Sequence, residues 1–347
     1  MLRSFEISNF RGFESLDFKN IERLNLIAGK NNAGKTALLE SIWFASAGIN
    51  PGLALTVNAF RGLENFALSP DPKAEQPWDT IFHGYDRNKE IFIKGTHEKE
   101  EEIKLKIKTE PLHAISADVE GKGNTSDALV FEFSDRDGSE PKIISLWFEG
   151  GQPKRTPLLP APIPSIFLSA RRPVGPAEDA SRFGVLSVEK GEEILIESLK
   201  CIEPRLTKIA AIPKPVGTIL HGDIGTNRLM PLPLMGEGIV RLTTILLAIA
   251  SAPDGVVLID EIENGLHHTV MPKVWEAIGK MSDRFYTQVF ATTHSLECIQ
   301  AAHQTFKGAV AYEFRVHRLD RNESVTTLKT YDQDTLDAAI EADLEVR

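Results

Sequence analysis

The sequence GKNNAGKT, which occupies Gly29–Thr36, combines two glycines, a lysine and a hydroxyl side chain at fixed spacing. It follows the apolar run Leu24–Ala28, which predicts a short buried strand, and it leads into a helical pattern over Thr36–Ala47. Glycines let the backbone turn its N–H groups toward phosphate oxygens, and a helix N-terminus adds a favourable field for anions. In this pattern we expect Lys35 to reach the β- and γ-phosphates of a nucleotide and Thr36 to place its hydroxyl on Mg²⁺. The alternative is a chance strand–turn–helix match.

Two carboxylates that suit the same chemistry follow a second apolar run. Val256–Ile259 is followed directly by Asp260 and Glu261, so both acids stand at the end of a predicted buried strand. In open parallel sheets, ligands bind at the carboxyl ends of the strands. Asp260 suits the coordination shell of Mg²⁺, and Glu261 suits a base that orients and polarises the attacking water. A solvated acidic strand end is the alternative, but the two motifs together indicate a P-loop NTPase that uses ATP and Mg²⁺.

Other residues are expected to complete the site. His294 follows the next β-like run, from which it can contact the γ-phosphate, although an ordinary loop histidine is the alternative. Gly236 and Gly238, in the segment LMGEG, open an apolar helix and can expose backbone N–H groups to an anion. The residues expected to act in catalysis are Lys35, Glu261 and His294. The loop residues expected to line the nucleotide are Gly29, Asn31, Asn32, Ala33, Gly34, Lys35, Thr36 and Ala37.

These segments together resemble the ABC-type ATPase heads of the group that contains the RecF, SMC and OLD (overcoming lysogenization defect) proteins. In that resemblance GKNNAGKT is the Walker A motif and LMGEG is the signature. VVLIDEIENGLHH is similar to the Walker B motif with its D-loop, and TTHS to the switch-histidine loop. The opening FEISNFRGFESLDF is similar to the first hairpin of the group, with Arg11 able to approach the nucleotide. The resemblance covers residues 1 to about 50 and about 165 to 310.

The resemblance implies an α/β P-loop NTPase fold. An ABC ATPase head of this group has a mixed or parallel core sheet, an antiparallel β lobe and a helical lobe. The chain, 1–347, would then be a single ABC-type ATPase domain. Residues 1–160 would form an N-terminal lobe with Walker A, 165–310 a helical segment and C-terminal lobe, and 311–347 a tail. Such heads work as ATP-dependent homodimers or higher oligomers, in which Walker A and B of one subunit meet the signature of another.

Three features depart from the pattern of the group or leave a role open. Met235 stands where the signature usually has serine, so the backbone N–H groups of the signature glycines would carry more of the contact with a partner's γ-phosphate. The segment FLSARR, with Arg171 and Arg172, lies in the Q-loop region and is either a surface turn or a sensor or partner contact. The chain has no long coiled-coil insertion. The segment after His294 is too short for the Toprim nuclease domain of OLD-type proteins, so we expect any effector to be a separate protein.

Composition limits the classes of function. The net charge of −10 and the pI near 5.5 argue against bulk attraction to nucleic acid but leave a local basic groove open. No apolar run reaches the roughly 18 to 20 residues that span a bilayer. The two cysteines, Cys201 and Cys298, form no metal or disulfide framework. We therefore expect a cytoplasmic protein with no membrane contact and no metal other than nucleotide-bound Mg²⁺.

The sequence leaves four functions to compare. The first is an ATPase that regulates a separately encoded nuclease or toxin, as in OLD-like anti-phage defence. The second is a RecF-like, ATP-gated protein that binds DNA in repair or recombination, against which the low pI counts mildly. The third is a nucleotide-gated scaffold with negligible turnover, which has no need of Glu261. The fourth is a P-loop kinase, in which the signature, the D-loop and His294 would have no role.

Overall fold

The computed structural model describes residues 1–63, 75–98, 101–112, 127–135, 140–149, 151–215, 217–308, 312–322 and 325–347. These residues form two compact units that are interleaved along the chain. The first unit contains Met1–Ile21, Asn32–Ile163 and Leu319–Lys329. The second unit contains Glu22–Asn31, Pro164–Arg318 and Thr330–Arg347.

The elements are numbered in chain order. The strands are β1 (Leu2–Phe10), β2 (Phe13–Phe18), β3 (Leu24–Ala28), β4 (Ile91–His97), β5 (Glu102–Pro111), β6 (Asp127–Ser134), β7 (Lys142–Glu149), β8 (Gln152–Arg155), β9 (Ser165–Leu168), β10 (Lys208–Lys214), β11 (Gly217–Asp223), β12 (Met230–Pro231), β13 (Val256–Ile259), β14 (Gln288–Thr292), β15 (Phe314–Asn322) and β16 (Val325–Tyr331). The α-helices are α1 (Lys35–Ala47), α2 (Leu53–Ala59), α3 (Pro176–Val188), α4 (Glu192–Leu199), α5 (Glu237–Ala250), α6 (Met271–Phe285), α7 (Leu296–Phe306) and α8 (Gln333–Glu341).

An antiparallel sheet and the helix α1 form the core of the first unit. The sheet has seven strands in the order β2-β1-β4-β5-β6-β7-β8, and every adjacent pair is antiparallel. One face of it carries apolar side chains at alternate positions, as in β4, where Ile91 and Ile93 are buried. Phe44 of α1 packs between Phe10 and Phe131, with ring centroids 5.4 and 5.9 Å away. The sheet therefore supports the helix that begins at Lys35.

A parallel sheet forms the centre of the second unit. Five strands run in the order β15-β3-β14-β13-β9, with every adjacent pair parallel, and β16 lies beyond β15 at the edge. Every residue of β3, β13 and β14 is buried, in agreement with the mostly apolar sequences of these strands. The register pairs Ile259 with Ala291 and with Leu168, so these strands end at one edge of the sheet. The residues that follow β3, β13 and β14 are those that the sequence assigns to the site.

The helices of the second unit cover the parallel sheet. From Leu242 to Ala250, every residue of α5 is buried, in agreement with its apolar sequence. A three-stranded antiparallel sheet, β10-β11-β12, packs with α3, which in turn contacts α5. The expected combination of a parallel core sheet, an antiparallel β lobe and a helical part is present. The expected lobe boundaries at 160 and 310 stay a prediction.

Candidate nucleotide-binding site

The loop between β3 and α1 has the backbone that a phosphate-binding loop requires. Gly29 and Gly34 have φ values of 148° and 107°, and Asn32 has a φ of 62°. A Cβ atom on Gly34 would lie 3.0 Å from Cζ of Phe13, so both conformation and space favour glycine there. Gly34 is also the N-cap of α1 and supplies no side-chain cap. The first turn of α1 therefore has backbone N–H groups that suit an anion.

The two halves of this loop belong to different units. In the first unit, Lys35 is buried with 6% of its surface exposed, Thr36 is half-buried, and Ala33 and Ala37 are buried. In the second unit, Gly29, Lys30 and Asn31 line an open cavity together with His294. The structure thus brings the first part of the loop and the predicted switch histidine to one cavity.

The two carboxylates after β13 are held by residues at the end of β14. Thr292 Oγ1 donates a hydrogen bond of 2.8 Å to Oδ1 of Asp260 and accepts one of 2.8 Å from the backbone N–H of Glu261. Asp260 is 7% exposed, whereas the Glu261 side chain is 39% exposed. Glu261 has a φ of 48°, in the left-handed region that few non-glycine residues adopt. Such backbone strain is typical of functional sites.

Glu261 and His294, which the sequence predicts to act in catalysis, lie close together in the second unit. Nε2 of His294 is 3.7 Å from Oε1 of Glu261, and Asn264 donates a hydrogen bond of 2.6 Å to Oε2 of Glu261. The backbone N–H of His294 donates to Oε1 of Glu263 at 2.8 Å. Asn264 and Glu263 therefore hold the side chain of Glu261 and the loop that carries His294.

Arg241 of α5 contacts the end of β13. Its Nη2 donates to the backbone oxygens of Asp260 and Glu261, at 3.0 and 3.2 Å. Burial lowers the pKa of the Arg241 guanidinium, and the carboxylates of Asp260, Glu263, Glu261 and Glu237 oppose that shift. Sequence reasoning missed Arg241, Thr292, Asn264 and Glu263, because none of them has a distinctive spacing. For Thr292, Asn264 and Glu263, only their position within the segments around Asp260 and His294 could have suggested a role, and Arg241 lies outside those segments, on α5.

The segment that resembles a signature lies at the start of α5. Gly236 is exposed, has a φ of 123°, and has open space where a Cβ atom would lie. A Cβ atom on Gly238 would lie 3.3 Å from the backbone oxygen of Gly265 in the D-loop. The thioether of Met235 packs toward Gly222 of β11 and against the apolar core. The methionine therefore has a packing role, and the exposed backbone at Gly236 is the part of the segment open to an anion.

The structure places Arg11 in a buried ion-pair network within the first unit. Its Nε is 2.5 Å from Oε2 of Glu40 on α1, and its Nη2 is 3.5 Å from Oδ1 of Asn58. Arg61 also contacts Glu40, at 3.0 Å. Burial lowers the pKa of the Arg11 guanidinium, although the charge of Glu40 opposes this. These contacts hold α1 against the first hairpin, and an approach of Arg11 to the nucleotide stays a prediction.

Arg171 and Arg172 follow the carboxyl end of β9, beside β13 in the sheet. Both side chains are exposed, and the backbone N–H of Arg171 donates to the hydroxyl of Ser169 at 3.2 Å.

Among the described residues, no group of three or more histidine, cysteine, aspartate or glutamate side chains could hold a metal ion. No helix in the described part of the chain is both long and apolar enough to cross a membrane.

The chain matches a known protein family over more than half of its length. Residues 24–299 match the family described as "AAA domain, putative AbiEii toxin, Type IV TA system". An ATP/GTP phosphatase of Helicobacter pylori is 23% identical over 363 aligned residues that cover 95% of each chain. The DNA replication and repair protein RecF of Teredinibacter turnerae is 36% identical over 87 residues, which are 25% of this chain and 21% of that protein.

A solved structure shows the same fold. An SMC head bound to the C-terminal winged-helix domain of ScpA matches with a TM-score of 0.52 and 13% identity, over 98% of this chain and 99% of the other. This likeness confirms the predicted fold. The family match, together with the Helicobacter pylori and RecF relatives, confirms the resemblance to the RecF and SMC group.

Proposed function

We propose that this chain, which belongs to the AAA-domain family of the putative AbiEii toxins, is an ATP-dependent dimeric switch. It is an ATPase of the RecF- and SMC-like group. In this proposal the switch controls a separately encoded effector, a nuclease or a toxin, in defence against phage. The family description refers to toxin–antitoxin systems, which supports a partner encoded elsewhere. The name of the Helicobacter pylori relative, an ATP/GTP phosphatase, supports nucleotide hydrolysis.

The observation that carries the proposal is the network at the ends of β13 and β14. One hydroxyl, that of Thr292, orients both Asp260 and Glu261, and His294 lies 3.7 Å from the Glu261 carboxylate. A base next to a γ-phosphate sensor suits attack of water on a phosphate. A protein that only bound nucleotide would have no need for this pair, so the network favours turnover over a passive scaffold.

The donor set suits Mg²⁺ and ATP. Mg²⁺ takes oxygen ligands, and a buried carboxylate and a threonine hydroxyl are both oxygen donors. Asp260 and Thr36 would hold the ion, and Lys35 with the loop backbone would hold the phosphates. The ion would neutralise charge that develops on the phosphate oxygens. Glu261 would accept the proton of the attacking water, and His294 would contact the γ-phosphate.

The exposed start of α5 supports a role for a second copy of the chain. Leu234 is 74% exposed, and Gly236 presents its backbone without a side chain. In the proposed dimer, this segment of one subunit covers the γ-phosphate in the other, so ATP joins the subunits and hydrolysis separates them. Arg241 links α5 to the Walker B segment, and Gly238 lies so near the D-loop that a Cβ atom there would be 3.3 Å from the backbone oxygen of Gly265. The state of one site would thus reach the interface.

Affinity purification of tagged Glu261→Gln from its native cells, with ATP and Mg²⁺, tests the proposal. This variant should bind ATP without hydrolysis and keep the closed dimer with its effector. Lys35→Ala, which should bind no nucleotide, is the matched control. A nuclease-like or toxin-like protein that is stoichiometric with Glu261→Gln and absent with Lys35→Ala would support the proposal. Recovery of the same proteins with both variants, or of none, would contradict it.

A RecF-like function in DNA repair or recombination is the second candidate. It is favoured by the local similarity to RecF and by the exposed Arg171 and Arg172 at the edge of the sheet. This candidate predicts ATP-dependent binding of duplex DNA that weakens with salt. It also predicts that Arg171→Ala with Arg172→Ala weakens that binding. Absence of DNA binding at low salt, together with ATPase activity that DNA does not stimulate, would eliminate it.

A further inference from the structure

The segment Leu344–Arg347 passes beside the loop that follows β3. An open cavity of about 270 Å³ lies here, within the second unit. It is lined by Gly29, Lys30, Asn31, His294, Glu345 and Arg347. The segment therefore contributes two charged side chains to the space that the phosphate loop and the switch histidine share.

Two contacts fix this segment. Val346 is fully buried in the apolar core of the unit. The guanidinium of Arg318 donates a hydrogen bond to the backbone oxygen of Glu345. Arg318 is paired in the sheet with Ala28, the last residue of β3 before the loop. The pairing of β15 with β3 therefore positions both this segment and the start of the loop that follows β3.

The ion pair between Arg347 and Glu345 is of a kind in which another anion can replace the carboxylate. Nε of Arg347 is 3.0 Å from Oε1 of Glu345, and the two side chains are 50% and 51% exposed. An ion pair this exposed contributes little stability, so a second anion can replace or join the carboxylate at low cost. A guanidinium binds a phosphate through two parallel N–H donors. The exposed carboxylate of Glu345 does not prevent Arg347 from binding a phosphate in this way.

We propose that Arg347 is a ligand of the nucleotide γ-phosphate, delivered to the site by the segment Leu344–Arg347 of the same chain. The proposal rests on the proposed function, since it assumes that ATP binds at this loop. We assign Arg347 to the γ-phosphate because Arg347 lines the same cavity as His294, the residue expected to contact the γ-phosphate. Arg347 then distinguishes ATP from ADP.

Calorimetric titration of the full chain with a non-hydrolysable ATP analogue and with ADP, each with Mg²⁺, tests this inference. Arg347→Ala should weaken binding of the analogue by about tenfold, because it removes a charge-assisted hydrogen bond, and should leave ADP affinity unchanged. Arg347→Lys, which keeps the charge but loses the planar fork, should lie between. Arg205→Ala is the control, since Arg205 pairs with Glu203 at 2.9 Å and is 67% exposed but does not line the cavity.

Three results would overturn the inference. Equal losses for the analogue and for ADP would exclude a specific γ-phosphate contact. Unchanged affinities in Arg347→Ala would show that the segment only lies beside the site, and tighter binding would show that it obstructs the site. Lys35→Ala separates these results from failure of the proposed function. Suppose that one of these three results is found. If wild type binds ATP and Lys35→Ala does not, the loop is the nucleotide site and only the role of Arg347 is wrong. If Lys35→Ala binds ATP as wild type does, the loop is not the nucleotide site and both proposals are wrong.

Discussion

Thr292 Oγ1 donates a hydrogen bond of 2.8 Å to Oδ1 of Asp260 and at the same time accepts one of 2.8 Å from the backbone N–H of Glu261. A single hydroxyl at the end of β14 therefore orients the proposed magnesium ligand and the backbone of the proposed base. Thr292 is fully buried, so water cannot substitute for this hydroxyl without rearrangement. Groups that orient a metal ligand contribute to metal affinity and to activity although they do not touch the ion.

Thr292→Val tests this relationship, because valine keeps the shape of threonine and removes the hydroxyl. We expect the ATPase kcat to fall about 10- to 100-fold and the Mg²⁺ concentration at half-maximal rate to rise. Thr292→Ser keeps the hydroxyl and should retain most of the activity. Phosphate release measured across a Mg²⁺ titration gives both values. A valine variant with wild-type kcat and Mg²⁺ dependence would rule out an orienting role for Thr292.

Glu261→Gln should lower ATP turnover by at least about 100-fold while nucleotide still binds, because the amide cannot accept a proton from water. Glu276→Gln is a suitable control, since Glu276 is an exposed residue of α6 that pairs with Lys280. Single-turnover hydrolysis and equilibrium binding of ATP separate the chemical step from binding. If Glu261→Gln hydrolyses ATP at the wild-type rate, another residue is the base.

Mixed dimers test whether each site is shared between two subunits. Lys35→Ala should disable the phosphate loop, and Gly236→Glu should place a charge and a strained residue at the start of α5, where φ is 123°. Each variant alone should lack ATPase activity. A one-to-one mixture should recover about a quarter of wild-type activity, because half of the dimers would contain one intact site. A mixture as inactive as its components would argue against a site built from two subunits.

The sequence predicted the parts of the site that depend on local pattern. Glycine, lysine and threonine at the start of a helix, and acids at the end of an apolar strand, carry their chemistry in consecutive residues. The bridge from Thr292 to Asp260 could not be predicted, because it requires knowing that β14 lies beside β13. The contact of Arg241 with the Asp260 carbonyl depends likewise on how α5 packs. Arg11 was expected near the nucleotide from its place in a motif, whereas its observed partner, Glu40, has no sequence signature.

The Arg11–Glu40 pair should contribute substantially to stability. The Glu40 side chain is 2% exposed and lies between two arginines, so Glu40→Gln would leave Arg11 as a buried cation without its counter-charge. We expect a loss of about 3–5 kcal/mol in the free energy of unfolding. The exposed pair of Arg3 with Glu98, at 2.6 Å, supplies the control, and Glu98→Gln should cost less than about 1 kcal/mol. Urea unfolding measures both, and equal losses would contradict the buried role.

Asp179 should make the stability of the protein depend on pH. Its carboxylate lies between α3 and α5, where it accepts a hydrogen bond of 2.6 Å from the hydroxyl of Thr244. Val174, Ile219, Leu232 and Val240 line the same cavity as Asp179. Burial raises the pKa of Asp179 from 3.8 to about 6, against the opposing effects of Thr244 and of Arg182, whose Nη1 lies 3.8 Å from Oδ1.

The folded protein therefore binds this proton more tightly than the unfolded chain. The stability that the protonated form provides is complete below pH 3.8 and is lost as the pH rises through about 6. The difference corresponds to about 3 kcal/mol, and Asp179→Asn, which cannot ionise, should not lose it. Urea unfolding of wild type and variant at several pH values between 4 and 8 measures the difference, with the exposed Asp283→Asn as control. Parallel pH profiles for wild type and Asp179→Asn would mean that Asp179 stays ionised in the fold, and that Thr244 and Arg182 outweigh its burial.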